Sequence, residues 1–360
     1  MRIHNLLIVI ILVTFATTAC EDNDKFISPS VDGLTMDIEV GGPSQPNQAF
    51  VNLHTGTQIK KARNDWDLGF YSGGEFRVVI NGTSKALVKK LDKKDLTLVT
   101  SEDTVGLGAM LSYDAIFNAV VSQPPPAWVS ESVNWVDDPA GNISLTAIDE
   151  ISVSDESNNV YIINRGENPD GTPRGWMKFR VLQESGSYVV QFALIASTSF
   201  NSLAVPKNAN FNFNYFNFDN DIIEVEPGKS DWDISFTTYF EILNFGVNFP
   251  YHVKDFVLLN RNEVDVSEIV ISTDQTLEMV YEDFTREDVN TLTFSSEIIS
   301  IGSKWRTVAS PTPGSVTAVK SDRFYIIRNG NGNYFKLIFT AMLNSSGERG
   351  YPQIKYQLLQ

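Results

Sequence analysis

A chain of 360 residues, 42% hydrophobic and 20% charged, can bury real cores, and its length fits roughly two domains of ~150 residues. Its 28 Lys and Arg against 44 Asp and Glu leave a net charge of −16. That charge repels phosphate backbones and argues against nucleic acid, and against an anionic membrane held by charge alone. Three His and one Cys exclude most metal-cluster, disulfide and thiol chemistry.

The chain opens with Arg2 and the apolar run from Leu6 to Val13. This is too short to span a bilayer and reads as the h-region of a signal peptide over residues 1–19. Small residues follow and end at Cys20, the only cysteine, which is the expected lipidation point. Residues 20–33, beginning Cys20-Glu21-Asp22-Asn23-Asp24, read as a solvated acidic linker, and the acidic run resembles the export tag of surface lipoproteins in Bacteroidota.

Beyond Gly33 the chain repeats itself. Phe50-Val51-Asn52-Leu53 before Trp66-Asp67-Leu68-Gly69-Phe70 returns as Tyr215-Phe216-Asn217-Phe218 before Trp232-Asp233-Ile234-Ser235-Phe236. Tyr161-Ile162-Ile163-Asn164-Arg165-Gly166 returns as Tyr325-Ile326-Ile327-Arg328-Asn329-Gly330, and Trp176-Met177-Lys178-Phe179 as Tyr334-Phe335-Lys336-Leu337. The Asn-, Pro-, Asp- and Gly-bearing stretch 167–173 reads as a loop inserted in the first copy. Such long repeats predict tandem domains over 34–200 and 210–360, parted where Ser, Thr, Pro and Asn cluster near 196–209.

Alternation dominates, so the expected fold is all-β: two tandem antiparallel β-domains with at most one or two short helices. Trp66, Leu68 and Phe70 share one face of a strand, as do Trp232, Ile234 and Phe236. In 210–221 the alternation slips at Tyr215-Phe216, as a β-bulge would produce. Asn81-Gly82 is a hairpin-turn signal. Tyr113 to Val121 is the best helical pattern.

Standard catalytic motifs do not occur. Gly228-Lys229-Ser230 lacks the upstream glycine of a phosphate loop and leads into a strand. His54, in a His-Thr-Gly turn, and His252, expected in an exposed loop after Phe249-Pro250-Tyr251, are not supported by a nucleophile motif or by metal-ligand spacing. The chain is therefore read as non-enzymatic with no metal centre, a carboxylate hydrolase being a distant third. The Trp-Asp pairs read as core packing with a carboxylate on backbone N–H groups. Lys85, Lys89, Lys90, Lys93 and Lys94 read as a solvated face.

The order of these segments, closing with Gly350-Tyr351-Pro352-Gln353-Ile354-Lys355-Tyr356, resembles the HmuY-like lipoproteins of Bacteroidota, with the second half matching better than the first. The resemblance implies a surface-exposed outer-membrane lipoprotein that binds haem and hands it to an uptake system, with a TonB-dependent receptor as partner. It places axial ligands in 85–135 and 260–305, which hold no histidine. The candidate ligands are then Met110, Met279 and the neighbouring His252, with Tyr113, Phe117 and Tyr281 as pocket aromatics. The alternative is a tandem β-module binding a glycan or protein at the cell surface, since sugars also stack on aromatic rings.

Overall fold

A computed structural model describes residues 33–310 and 312–360; the expected signal peptide and lipidation point, Cys20, lie outside the described residues. The chain is mostly antiparallel strand, with two α-helices among the described residues, Tyr113–Val121 and Leu277–Asp283. The first matches the periodic segment. Its apolar residues recur at Tyr113, Ile116, Phe117 and Val120, so one stripe faces the protein. Ser112 caps it, its Oγ accepting from the Ala115 N–H at 3.2 Å.

Four sheets make two sandwiches. One five-stranded sheet joins Leu34–Asp37, Arg349–Leu359, Tyr334–Leu343, Arg323–Arg328 and Asp265–Val270. It faces a four-stranded sheet of Asn248–Leu259, Ile234–Asn244, Asn47–Asn52 and Thr57–Ala62. Their shared core contains Val51, Ile234, Phe236, Trp305, Tyr325, Phe339 and Tyr356. The second sandwich sets Asn201–Val205, Ser187–Leu194, Trp176–Glu184, Val160–Asn164 and Leu87–Lys90 against Asp221–Ile223, Phe213–Asn217, Leu68–Tyr71 and Val78–Ile80. Leu68, Phe70, Phe179, Tyr188, Phe192 and Phe216 fill its core.

The strands do not part between residues 200 and 210. Phe213–Asn217 pairs with Leu68–Tyr71, Ile234–Asn244 pairs with Asn47–Asn52, and Leu34–Asp37 pairs with the last strand. Residues 196–209, expected as linker, contain Asn201–Val205, which pairs with Ser187–Leu194. Each Trp-Asp strand is thus completed by the short aromatic strand that stands beside the other one in the sequence. Asp233 Oδ2 accepts the Leu53 N–H at 2.7 Å, and Asp67 Oδ2 accepts the Phe218 N–H at 3.0 Å. The Asn81 amide donates to the Trp66 carbonyl and the Asn260 amide to the Trp232 carbonyl, both at 2.7 Å.

Three local expectations are corrected. Asn81-Gly82 makes no hairpin; Asn81 caps a short 3-10 turn, Gly82–Ser84, its side chain accepting the Ser84 N–H. The slip at Tyr215-Phe216 is no bulge, because Phe213–Asn217 runs in continuous register with Leu68–Tyr71. The strand carries rings on both faces, Phe216 in the second core and Tyr215 against Trp66, so alternation fails without any backbone irregularity. His252 stands within the strand Asn248–Leu259, not in a loop. Pro250 is tolerated there because this is an edge strand, where a missing N–H costs no ladder bond.

The two Trp-Asp carboxylates are held differently. Asp67 is completely buried and takes Arg165 in a two-pronged pair, Nε at 3.0 Å and Nη2 at 2.9 Å, with Arg174 Nη2 also at 2.9 Å. Asp233 has Asn329 instead of arginine, and burial pushes its carboxyl up to about 6. Replacing Asp67 removes the buried carboxylate from two buried guanidinium groups and leaves them Asp219 and backbone carbonyls as partners. Asp67→Ala is predicted to lower the unfolding free energy by about 3–5 kcal/mol in a urea titration. Asp233→Asn is predicted to cost much less. Equal effects would contradict this difference in pairing.

Candidate functional site

The helix Tyr113–Val121 lies against the strand Asn248–Leu259 at the edge of its sheet, and the contact is built of rings. Tyr113 stacks on Phe117 at 6.1 Å between ring centres and meets Phe240 at 6.2 Å, Tyr251 at 6.4 Å and His252 at 5.9 Å. Phe240 meets His252 edge-on at 5.2 Å, and Phe117 meets Tyr251 at 6.1 Å. Met110, one turn before the helix, packs on the same cluster.

His252 sits among these rings with its Nε2 buried and without a hydrogen-bond partner. The ring also makes a hydrogen bond to the Thr83 backbone. Burial, with the positive charges of Lys85 and Arg63 nearby, holds its pKa down to about 3. The imidazole is therefore neutral at any physiological pH, with a lone pair available for a metal. Lys85 Nζ lies 5.0 Å from the centre of the Tyr113 ring and pairs with Glu167 at 2.6 Å. Burial raises the Tyr113 phenol well above its usual range, so it stays protonated and acts as a neutral ring.

Four of the six residues read from the sequence thus converge: Met110, Tyr113, Phe117 and His252. Met279 and Tyr281 do not join them. They stand on Leu277–Asp283, which packs on the five-stranded sheet of the same sandwich through Phe324 and Ile326, in a hydrophobic cluster separate from the rings around His252, with Met279 64% exposed and Tyr281 buried against Phe324 at 5.6 Å. Sequence reading missed Phe240, which lies further along the Trp-Asp strand, and Tyr251, which lies on a strand taken for a loop. It also missed a role for the buried lysines. Lys178 Nζ donates to the carbonyls of Val99 and Ser197 at 2.7 and 2.6 Å. Lys336 Nζ donates to Tyr281 at 2.7 Å and to Glu282 at 3.1 Å. Each pins an irregular segment to its sheet.

The lysine face is paired throughout: Lys89 with Glu131, Lys90 with Asp149, Lys93 with Asp103, and Lys94 with Asn159 Oδ1. His54 lies in an exposed turn, its N–H on Asn52 Oδ1.

The low pKa of His252 has a definite sign. Below pH ~6.5 the unfolded chain takes up a proton that the folded chain refuses until about pH 3. Its contribution to stability therefore falls as pH drops through that window. His252→Phe, which keeps a ring in place, is predicted to gain about 1–2 kcal/mol on the parent between pH 8 and pH 5, read from thermal unfolding at both pH values. An unchanged difference would contradict the buried neutral imidazole.

A family model described as HmuY protein matches residues 44–356. No curated protein matches the chain. Among solved structures, the apo HmuY analog of Tannerella forsythia is 10% identical, covering 91% of this chain and 96% of its own, with a TM-score of 0.25. A structure designated a HmuY-like heme binding protein from Bacteroides vulgatus is 10% identical, with coverages of 92% and 96% and a TM-score of 0.24. One designated a lipoprotein from Bacteroides fragilis is 13% identical over 49% of this chain and 92% of its own, with a TM-score of 0.22. Scores of this size carry no argument, and the relationship rests on the sequence match.

Proposed function

Because the chain belongs to the HmuY family, we propose that it is a haem-binding lipoprotein, anchored through Cys20 at the outer-membrane surface, that passes haem to a TonB-dependent uptake receptor without catalysis. The observation that carries the reading is the neutral, unpartnered Nε2 of His252 inside a cluster of aromatic rings, with Met110 packed on the hydrophobic core that Phe240 and Tyr113 share.

Haem asks a site for a flat apolar slot, a soft or imidazole ligand for iron, and cations for the propionates. Phe117, Tyr113, Phe240 and Tyr251 supply ring faces and edges. The His252 lone pair and the Met110 thioether supply ligands of the right kind. Lys85 stands at the border of the cluster with its charge shared with Glu167, and exchanging that carboxylate for a propionate conserves the ion pair. Since Nε2 is covered, haem enters by parting the rings between the helix and the edge strand. Separating the nine-residue helix from the edge strand opens the core that holds Ile116, Val120, Phe240 and Phe249 and leaves the two sandwich cores in place.

The test is a haemin titration of the mature chain followed in the Soret region, oxidised and reduced. A saturable red-shifted band at one equivalent is expected. His252→Ala and Met110→Ala are predicted to weaken binding at least about tenfold or change the spectrum. Met279→Ala is predicted to change neither, because Met279 is exposed on a helix that packs in a hydrophobic cluster separate from the rings around His252. Featureless haemin spectra in both redox states would overturn the reading, and an effect confined to Met279→Ala would move the site.

A further inference from the structure

The two four-stranded sheets turn their outer faces toward each other across a cavity of about 100 Å³. Phe50, Trp66, Tyr215, Trp232, Tyr239 and Glu226 are among its walls. Both tryptophans present the same geometry: Trp232 meets Phe50 edge-on at 5.1 Å, and Trp66 meets Tyr215 edge-on at 4.9 Å. Each is more than nine-tenths buried, at 7% and 6% exposure, and each has an indole Nε1 with no hydrogen-bond partner.

An indole N–H can only donate. Leaving one buried and unpaired is costly, and two around a single cavity call for an acceptor between them. The carboxylates and several other polar groups on the walls are already engaged. Asp137 accepts the N–H groups of Ile80 and Ala147 at 2.8 and 2.9 Å. Glu226 accepts the Phe213 N–H at 2.7 Å, and Gln48 donates to Ser235 Oγ at 3.2 Å. Arg261 donates to the Gly141 carbonyl and lies over the Phe213 ring.

We propose that this cavity is a second binding site, for a small neutral molecule with a carbonyl acceptor and an apolar remainder. The acceptor answers the two free donors. Neutrality follows from the walls: an anion would face Glu226 and Asp137, and a cation would bring donors where donors are already in excess. Burial pushes Glu226 up to about 7 and Asp137 up to about 6, so a further negative charge there is resisted. The space is somewhat below the ~150 Å³ of a dry cavity known to take benzene, which sets an upper size of about six non-hydrogen atoms. Thr83 and Tyr239 on its walls adjoin the His252 cluster, but neither His252 nor Met110 lines the cavity, and the proposal does not rest on the haem reading.

Cyclopentanone, a ring with one carbonyl, and benzene, a ring of like size with no acceptor, are the probes. In ¹⁵N–¹H spectra of the mature chain, cyclopentanone is expected to move two indole peaks saturably. They should be the peaks lost in Trp66→Phe and Trp232→Phe, and each variant should bind cyclopentanone about tenfold more weakly. Benzene is expected to bind about tenfold more weakly than cyclopentanone to the parent. A check that needs no variant is thermal stabilisation of the parent by cyclopentanone beyond that given by benzene. Equal binding of both probes would reduce the site to an apolar void. Indole peaks unmoved by either, with no thermal stabilisation, would show a cavity for water alone; both results overturn the proposal.

Discussion

A single buried carboxylate organises much of this molecule. Asp67 reaches Arg165 and Arg174, which follow the strand Val160–Asn164, and accepts the Phe218 N–H at the end of a strand that arrives from the other half of the chain. Charge in a dry core is tolerated only when paired and hydrogen-bonded, so once Asp67 is buried these distant segments must come to it. Asp219 extends the network to the surface through Arg165 at 2.7 Å. The matching position in the other sandwich, Asp233, meets the same demand without a cation. It keeps the backbone bond to Leu53 and answers burial by a raised proton affinity. One sandwich buries a carboxylate compensated by two arginines, and the other buries one held by backbone and amide donors alone, with its proton affinity raised.

That architecture places two kinds of space. Crossing the short strands Asn47–Asn52 and Phe213–Asn217 into opposite sheets turns both tryptophans toward a common interior. Seating an irregular segment on the edge strand Asn248–Leu259 creates the ring cluster around His252. Lys178 and Lys336 hold the irregular segments by donating to backbone carbonyls. These irregular segments therefore rest on the sheets while keeping few ladder bonds of their own.

The period-two pattern with rings made the strands legible, and the stripe Tyr113, Ile116, Phe117, Val120 made the first helix legible to the residue. Which strand pairs with which was not legible. Phe50-Val51-Asn52-Leu53 and Tyr215-Phe216-Asn217-Phe218 are alike, and equivalent strands can complete either sheet with the same contacts. Nothing local distinguishes the two pairings. His252 was misplaced because Pro250 reads as a strand breaker unless the strand is known to lie at an edge, which is a property of topology. Of the site, Met110, Tyr113, Phe117 and His252 were named from the sequence. Phe240 and Tyr251 required the register of Ile234–Asn244 with Asn248–Leu259, which opposes Phe240 to His252.

The account turns on whether haem enters between the helix and the edge strand. Hydrogen–deuterium exchange of the mature chain, with and without haemin, tests this without altering a residue. Slowed exchange concentrated in residues 105–121 and 248–253, with Leu277–Asp283 unchanged, is the predicted result. Protection centred on Leu277–Asp283, or none anywhere at saturating haemin, would contradict the site at His252.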